Sequence, residues 1–303
     1  MQTLSEIKAL LESHGLSPKK SLGQNFLIDH NLIRKLVDAA GVAPGDLVLE
    51  VGPGTGTLTE ELLERVGPGG RVVACELDDR LAALVAERAA ALPNGAALTV
   101  VHADCLTPSR HVSPPVLRAL RPPDRPFALV ANLPYGAATP LISALLVDHP
   151  RCRTIAVTVQ REVADRLLAA PSSRDYGALS VIARAMAEVS RIAVLPRECF
   201  WPRPDVTSAM VLLRRRDHPL TADPAAFSRF CRVLFAHRRK QLGSVLAGAG
   251  IGPPAAWPGG IRPGLRAEQL SAEQIESLRI AVGAATGIPA PPTAAPHLST
   301  GAD

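Results

Sequence analysis

The sequence predicts an α/β fold: a Rossmann-like, mostly parallel sheet wrapped by helices, then a small C-terminal helical domain. Three observations predict it. Short apolar runs of strand length at 47–51, 71–75, 98–101, 127–131, 154–159, 191–195 and 208–213 alternate with helical segments, as strand–helix–strand crossovers do. The first run leads into Gly52-Pro-Gly54-Thr-Gly56, a turn whose bare backbone lets a ligand come close. The alternation stops after Arg214-Arg215-Arg216, and only helical periodicity continues beyond it.

Taken in order, Leu4, Ile7, Leu10 and Leu11 have helical spacing, so 4–13 reads as an amphipathic helix. A basic, irregular stretch from Pro18 to Leu27 follows. Asp29 then offers a cap for a helix over 29–40. The link from Pro196 to Thr207 is too short for a helical crossover, so the last two runs should pair antiparallel. Segment 106–126 is proline-rich and reads as a loop holding a short helix. Residues 224–247 and 267–284 read as helices around a Gly/Pro-rich link. The expected division is a catalytic domain at 1–217, a helical domain at 218–285 and a disordered Pro/Ala/Thr-rich tail at 286–303.

Composition narrows the function. Across 303 residues, 33 Lys and Arg stand against 28 Asp and Glu, a net +5 that suits a nucleic-acid partner without demanding one. The five cysteines are scattered and never in a CxxC pair, which fits reduced thiols of a cytoplasmic protein and no metal site. No apolar window could span a bilayer. The first residues lack the apolar core of a signal peptide, so a cytoplasmic location without a membrane partner is expected.

The glycine spacing is informative. A dinucleotide loop reads G-x-G-x-x-G and a P-loop ends in Gly-Lys-Ser/Thr. Here it is G-x-G-x-G with no lysine. That favours a nucleoside without a pyrophosphate or triphosphate, and S-adenosylmethionine is such a ligand. Glu76, ending the next strand, is placed to accept both ribose hydroxyls. Asp104, after the third, could accept from an adenine amino group. Gly52 and Gly54 would carry the close approach.

The fourth strand ends in Asn132-Leu133-Pro134-Tyr135, beside the switch point where ligands sit in open α/β sheets. An adenine N6 lone pair is delocalised into the ring and is a poor nucleophile. The Asn132 side-chain oxygen and the Leu133 carbonyl could each accept one N6–H, pointing the lone pair at a methyl donor. Asn132 would also face the cofactor's methyl. Tyr135 offers a ring to an extruded base. No general base is required, because a sulfonium is already a strong electrophile and positioning supplies the rest. Aromatic residues make up only 3% of the chain, yet Phe200-Trp201 falls in the proline-rich link. Phe200 is therefore expected to stack on the base opposite Tyr135. Arg238, Arg239 and Lys240, expected on a helix, and Arg214–Arg216 would supply charge for RNA phosphates.

Eight separated stretches in register carry a resemblance: Leu22–Leu27, Leu49–Thr59, Glu76–Asp78, His102–Asp104, Asn132–Tyr135, Phe200–Ser208, Phe235–Lys240 and Arg266–Leu270. With these the chain resembles the ribosomal RNA adenine N6-dimethyltransferases, in particular their bacterial small-subunit branch, linked to kasugamycin sensitivity. The resemblance implies a class I methyltransferase sheet with S-adenosylmethionine as cofactor. It implies that Asn25 and Leu27 close over the cofactor while Gly52, Glu76, Asp104 and Asn132 touch it. The implied substrate is two adjacent adenines in the 3′-terminal hairpin loop of small-subunit (16S) rRNA, in an immature 30S subunit, and a monomer is expected. Two stretches depart from the family pattern: Gly136 stands where Asn is usual, and Asp205-Val-Thr-Ser208 replaces Lys-Val-Asp-Ser. One alternative is the large-subunit, macrolide-resistance type of adenine methyltransferase, which Gly54–Thr59 and Phe235–Lys240 resemble less. Another is a non-catalytic RNA-binding assembly or transcription factor on the same fold, which would not need an intact Asn-x-Pro-Tyr.

Overall fold

The computed structural model describes residues 2–19 and 22–286. In chain order its strands are β1 (Phe26–Leu27), β2 (Leu47–Val51), β3 (Arg71–Glu76), β4 (Leu98–His102), β5 (Phe127–Asn132), β6 (Cys152–Gln160), β7 (Ala187–Leu195), β8 (Phe200–Trp201) and β9 (Ser208–Arg215). The helices are α1 (Leu4–Ser13), α2 (His30–Ala40), α3 (Thr57–Val66), α4 (Asp79–Ala90), α5 (Pro114–Ala119), α6 (Ala138–Asp148), α7 (Arg161–Leu168), α8 (Ala178–Met186), α9 (Pro224–Ala236), α10 (Leu242–Gly248) and α11 (Ala272–Thr286).

Seven strands form one sheet in the order β4-β3-β2-β5-β6-β9-β7. The first five are parallel, joined by crossovers through helices. The short link after β7 turns the chain straight back, and β9 inserts antiparallel between β6 and β7. The order reverses between β2 and β5, so the carboxyl ends of these two strands flank the crevice where a ligand fits.

Both faces of the sheet are covered, as near-continuous apolar strands require. Leu47, Leu49, Val51 and Leu129 face Leu141 and Leu145 of α6. Val48, Val72 and Val130 face Ile33 and Leu36 of α2 and Leu62 of α3. Helix α1 lays Ile7 and Leu11 against Leu81 and Leu84 of α4, with Phe26 in the same cluster. Its Thr3 and Glu6 form a reciprocal capping box.

The C-terminal helices pack on α8 and α6. Phe227, Leu234, Leu270 and Ile275 share one buried cluster with Leu141 and Ile182. Tyr176 joins the two parts: its hydroxyl donates to the Leu270 carbonyl at 2.8 Å, and its ring meets Phe235 edge-on at 5.9 Å.

Several expectations need correction. The helix expected over 224–247 is two, α9 and α10. Between them Gln241 bridges Arg266, and the Leu242 and Gly243 amides donate to the Leu265 and Pro263 carbonyls, which pulls the chain out of helical register. Helix α11 starts at Ala272, because Ser271 and Gln274 cap it reciprocally. Strand β7 begins at Ala187, earlier than the apolar run at 191 suggests. The tail expected over 286–303 lies outside the described residues, except for Thr286 in α11.

Candidate active site

A cavity of about 680 Å³ opens where β2, β3 and β5 end, within the range of small-molecule sites. It is lined by Asn25, Leu27, Gly52, Gly54, Glu76, Asp104, Asn132, Leu133 and Tyr135, so one crevice collects nearly every predicted cofactor and catalytic residue.

The glycine loop is shaped for close approach. Gly52 has φ +74°, and a Cβ there would sit 3.1 Å from the Pro134 ring. The loop and the Asn-Leu-Pro turn therefore touch. Gly54 has φ +60°, and its Cβ would come within 2.7 Å of the Phe26 ring. That is too close for any side chain, and Phe26 forms a wall of the cavity through this contact.

Glu76 is 6% exposed at the end of β3. Its Oε2 accepts the Gly54 amide at 3.2 Å, and its Oε1 accepts the Leu77 and Asp78 amides at 2.8 and 3.0 Å. Burial pushes its pKa up, and the three amide donors oppose that shift. Asp104 is exposed, with Oδ1 accepting the Leu106 amide at 2.9 Å.

Asn132 ends β5, and its Nδ2 donates to the Asn25 carbonyl at 2.9 Å. This fixes the amide plane and leaves Oδ1 as an acceptor without a donor among the described residues. Asn25 in turn donates to the Gly23 carbonyl. The Leu133 amide donates to the Thr158 carbonyl at 3.1 Å, which pins the turn to β6. The Tyr135 hydroxyl lies 3.0 Å from Ser208 Oγ, itself fully buried on β9. Burial raises the Tyr135 pKa, keeping the phenol neutral. A Cβ at Gly136 would meet nothing within 4 Å, so the backbone here has room for a side chain.

Residues ahead of β1 strap the crevice. Lys19 pairs with the buried Asp78 at 2.6 Å, and Gln24 reaches the same carboxylate. Although burial alone would raise it, these donors and the Leu81 amide hold Asp78 below the ordinary carboxylate value.

Sequence reasoning assigns no role to Glu50, which lies near the end of β2 as Glu76 ends β3 and lines the same cavity. It is 1% exposed, accepts from Thr59 Oγ1 at 2.7 Å, and burial pushes its pKa up to about 8. Its place at a strand end just before the glycines is the available signal.

Other expectations fail on placement. Phe200 is 3% exposed and packs with Leu195 and Met210 in the core, because β8 pairs with β1 and sets Phe200 opposite Leu27. It does not line the cavity, so it is not a stacking platform in this arrangement. Trp201 instead packs on Phe26, with Lys8 over its ring. Arg238, Arg239 and Lys240 lie in the turn after α9, not on a helix. Arg238 is held by Glu268 at 2.9 Å and by the Arg174 carbonyl, whereas Arg239 and Lys240 are exposed. Arg214 donates to the Ala39 carbonyl, Arg215 to four carbonyls around the end of α6, and Arg216 to the Arg184 carbonyl, so this run serves the fold. A second, basic groove of about 520 Å³ is lined by Arg166, Arg174, Arg232 and Arg238 beside Tyr176 and Phe235.

The sheet order, the glycine loop and the strand-end acids define a class I methyltransferase. Residues 15–281 match the family model for ribosomal RNA adenine dimethylase, and the chain belongs to that family. It is an S-adenosylmethionine-dependent rRNA adenine dimethyltransferase. A relative from Streptomyces avermitilis, a ribosomal RNA small subunit methyltransferase A, is 42% identical over 278 residues, covering 89% of this chain and 90% of its own. One of the same name from Geobacillus thermodenitrificans is 40% identical, covering 79% and 80%. Among solved structures, the 23S rRNA methyltransferase ErmE aligns with a TM-score of 0.58 at 28% identity, covering 85% and 99%. A dimethyladenosine transferase from Plasmodium falciparum shares the fold, with a TM-score of 0.65 at 22% identity over 84% and 95%.

Proposed function

We propose that this protein transfers methyl groups from S-adenosylmethionine to N6 of two adjacent adenines in the 3′-terminal hairpin loop of small-subunit rRNA during assembly of the 30S subunit. The observation that carries the chemistry is Asn132: its Nδ2 is committed to the Asn25 carbonyl, so its Oδ1 is held ready as an acceptor. Asn132 Oδ1 and the Leu133 carbonyl accept hydrogen bonds from the two N6–H groups of the unmethylated adenine, and Tyr135 offers its ring to the base. The proton that N6 sheds once the methyl is transferred passes to solvent. When bound, the cofactor supplies an activated methyl on a sulfonium. The rest is positioning, which is worth several powers of ten in rate when reacting atoms are held close.

Gly52 and Gly54 fit the cofactor because their left-handed turns let the loop lie against Pro134 and Phe26, two walls of the cavity. Glu76 and Asp104 present carboxylates for ribose hydroxyls and an adenine amino group, and Asn25 and Leu27 cover the ligand. Residues 218–285 act with the methyltransferase domain to hold RNA. Arg239, Lys240 and the arginines of the second groove supply the phosphate contacts, a role that Arg238 shares with its structural bond to Glu268. The small-subunit substrate is favoured by relatives of that name at 40–43% identity. Among the described residues no helix is long and apolar enough to cross a membrane. A monomer working in the cytoplasm completes the reading.

Transfer of labelled methyl to 30S subunits from an unmethylated strain, with none to protein-free large-subunit RNA, is the expected result. Preference for large-subunit RNA would move the protein to the macrolide-resistance type. No transfer to either would favour a non-catalytic assembly factor.

A further inference from the structure

The proline-rich insert after β4 carries a residue that the reaction described above leaves unused. Leu106 bridges Val112, and the Ser113 amide donates to the Cys105 carbonyl, so the chain after Asp104 folds back as a hairpin. At its tip the Arg110 amide donates to the Thr107 carbonyl at 2.9 Å, and the Thr107 amide to the His111 carbonyl at 2.8 Å. His111 Nδ1 lies 3.0 Å from Asp148 of α6, which ties the tip to the fold. Arg110 has φ +67°, a left-handed conformation that favours glycine in such a turn. The chain thus holds an arginine where glycine would be less strained, and such outliers gather at functional positions.

Arg110 is exposed, and it lines the cofactor cavity. It is the one Lys, Arg or His among the described lining residues, against the carboxylates of Glu50, Glu76 and Asp104. Its guanidinium has no partner among the described residues. S-adenosylmethionine carries a net positive charge that a guanidinium disfavours, and the hairpin follows Asp104, the acid proposed above to meet the adenine amino group. The anion that remains is a backbone phosphate of the substrate RNA.

We infer that Arg110 is a positioning residue that binds an RNA phosphate at the rim of the cavity and so registers the target adenine over Asn132. The inference rests on the function proposed above. The test compares wild type with Arg110→Gly and Arg110→Lys, using unmethylated 30S subunits at a series of salt concentrations. Glycine suits the left-handed position, so Arg110→Gly should fold with an unchanged or higher Tm. It should raise KM for RNA several-fold at low salt rather than lower kcat, and reduce the salt slope of RNA binding by about 0.7–0.9, the share of one phosphate. Its Kd for S-adenosylmethionine should stay within about twofold, and Arg110→Lys should restore the slope. A wild-type slope and KM in Arg110→Gly would overturn the inference while leaving the function intact. So would a loss confined to cofactor affinity, which would assign Arg110 to the cofactor. Absence of transfer by the wild type would instead refute the function, and the inference with it.

Discussion

Replacing Glu50 with Gln probes the electrostatics of the cavity floor. Glu50 is 1% exposed, and burial moves its pKa from 4.5 to about 8. The folded state therefore holds this proton more tightly than the unfolded chain does. The stability linked to it is fully present below pH 4.5 and is lost as pH rises towards 8. Each pH unit in that window is worth about 1.4 kcal/mol, so the whole span amounts to about 5 kcal/mol. The Glu50→Gln side chain keeps the shape and the bond from Thr59 but does not titrate, and its buried amide donors cost about 1–3 kcal/mol if left unpaired. Urea unfolding of both ligand-free proteins at pH 5 and pH 8 gives the comparison. Glu50→Gln should be equal or slightly less stable at pH 5 and more stable by a few kcal/mol at pH 8. Cofactor affinity of the wild type should also rise across this range, because a sulfonium favours the ionised carboxylate. Parallel stability profiles for the two proteins would refute a buried, proton-holding Glu50.

Gly54→Ala places a Cβ 2.7 Å from Phe26 at a left-handed φ. It should cost about 1–2 kcal/mol from the backbone alone and weaken cofactor binding, as calorimetry and thermal melts would report. Glu76→Ala should weaken S-adenosylmethionine binding by roughly 1.5–3 kcal/mol, the worth of hydrogen bonds to a charged group. Unchanged affinity by calorimetry would remove Glu76 from the site. Asn132→Ala should slow methyl transfer by on the order of a hundredfold or more, with little change in RNA affinity. Comparable single-turnover rates would show that the amide does not hold the target nitrogen.

Where the sequence succeeds, the signal is local. Glu76, Asp104 and Asn132 each close an apolar run of strand length, and in a parallel sheet all such ends share one edge. The antiparallel turn-back is legible in the shortness of Pro196–Thr207, although insertion of β9 between β6 and β7 is not. Where the sequence fails, the deciding partner is remote. Phe200 is buried because β1, at the far end of the domain's sequence, pairs with β8. Arg238 looks like surface charge until Glu268, 30 residues later, is seen to bind it. Arg215 looks like part of a phosphate clamp but caps carbonyls around α6. Glu50 escapes a reading of the sequence because its burial depends on α3 and Thr59 closing above it.

Adenine N6 dimethylation at a geometry set by Asn132 is tested most directly by nucleoside mass spectrometry of small-subunit rRNA after incubation of unmethylated 30S subunits with S-adenosylmethionine. Wild-type protein should yield N6,N6-dimethyladenosine at two adjacent positions of the 3′-terminal hairpin loop, and Asn132→Ala should yield almost none in the same time. Methylation at another nucleotide, or equal product from the Asn132→Ala protein, would contradict the reading of this site.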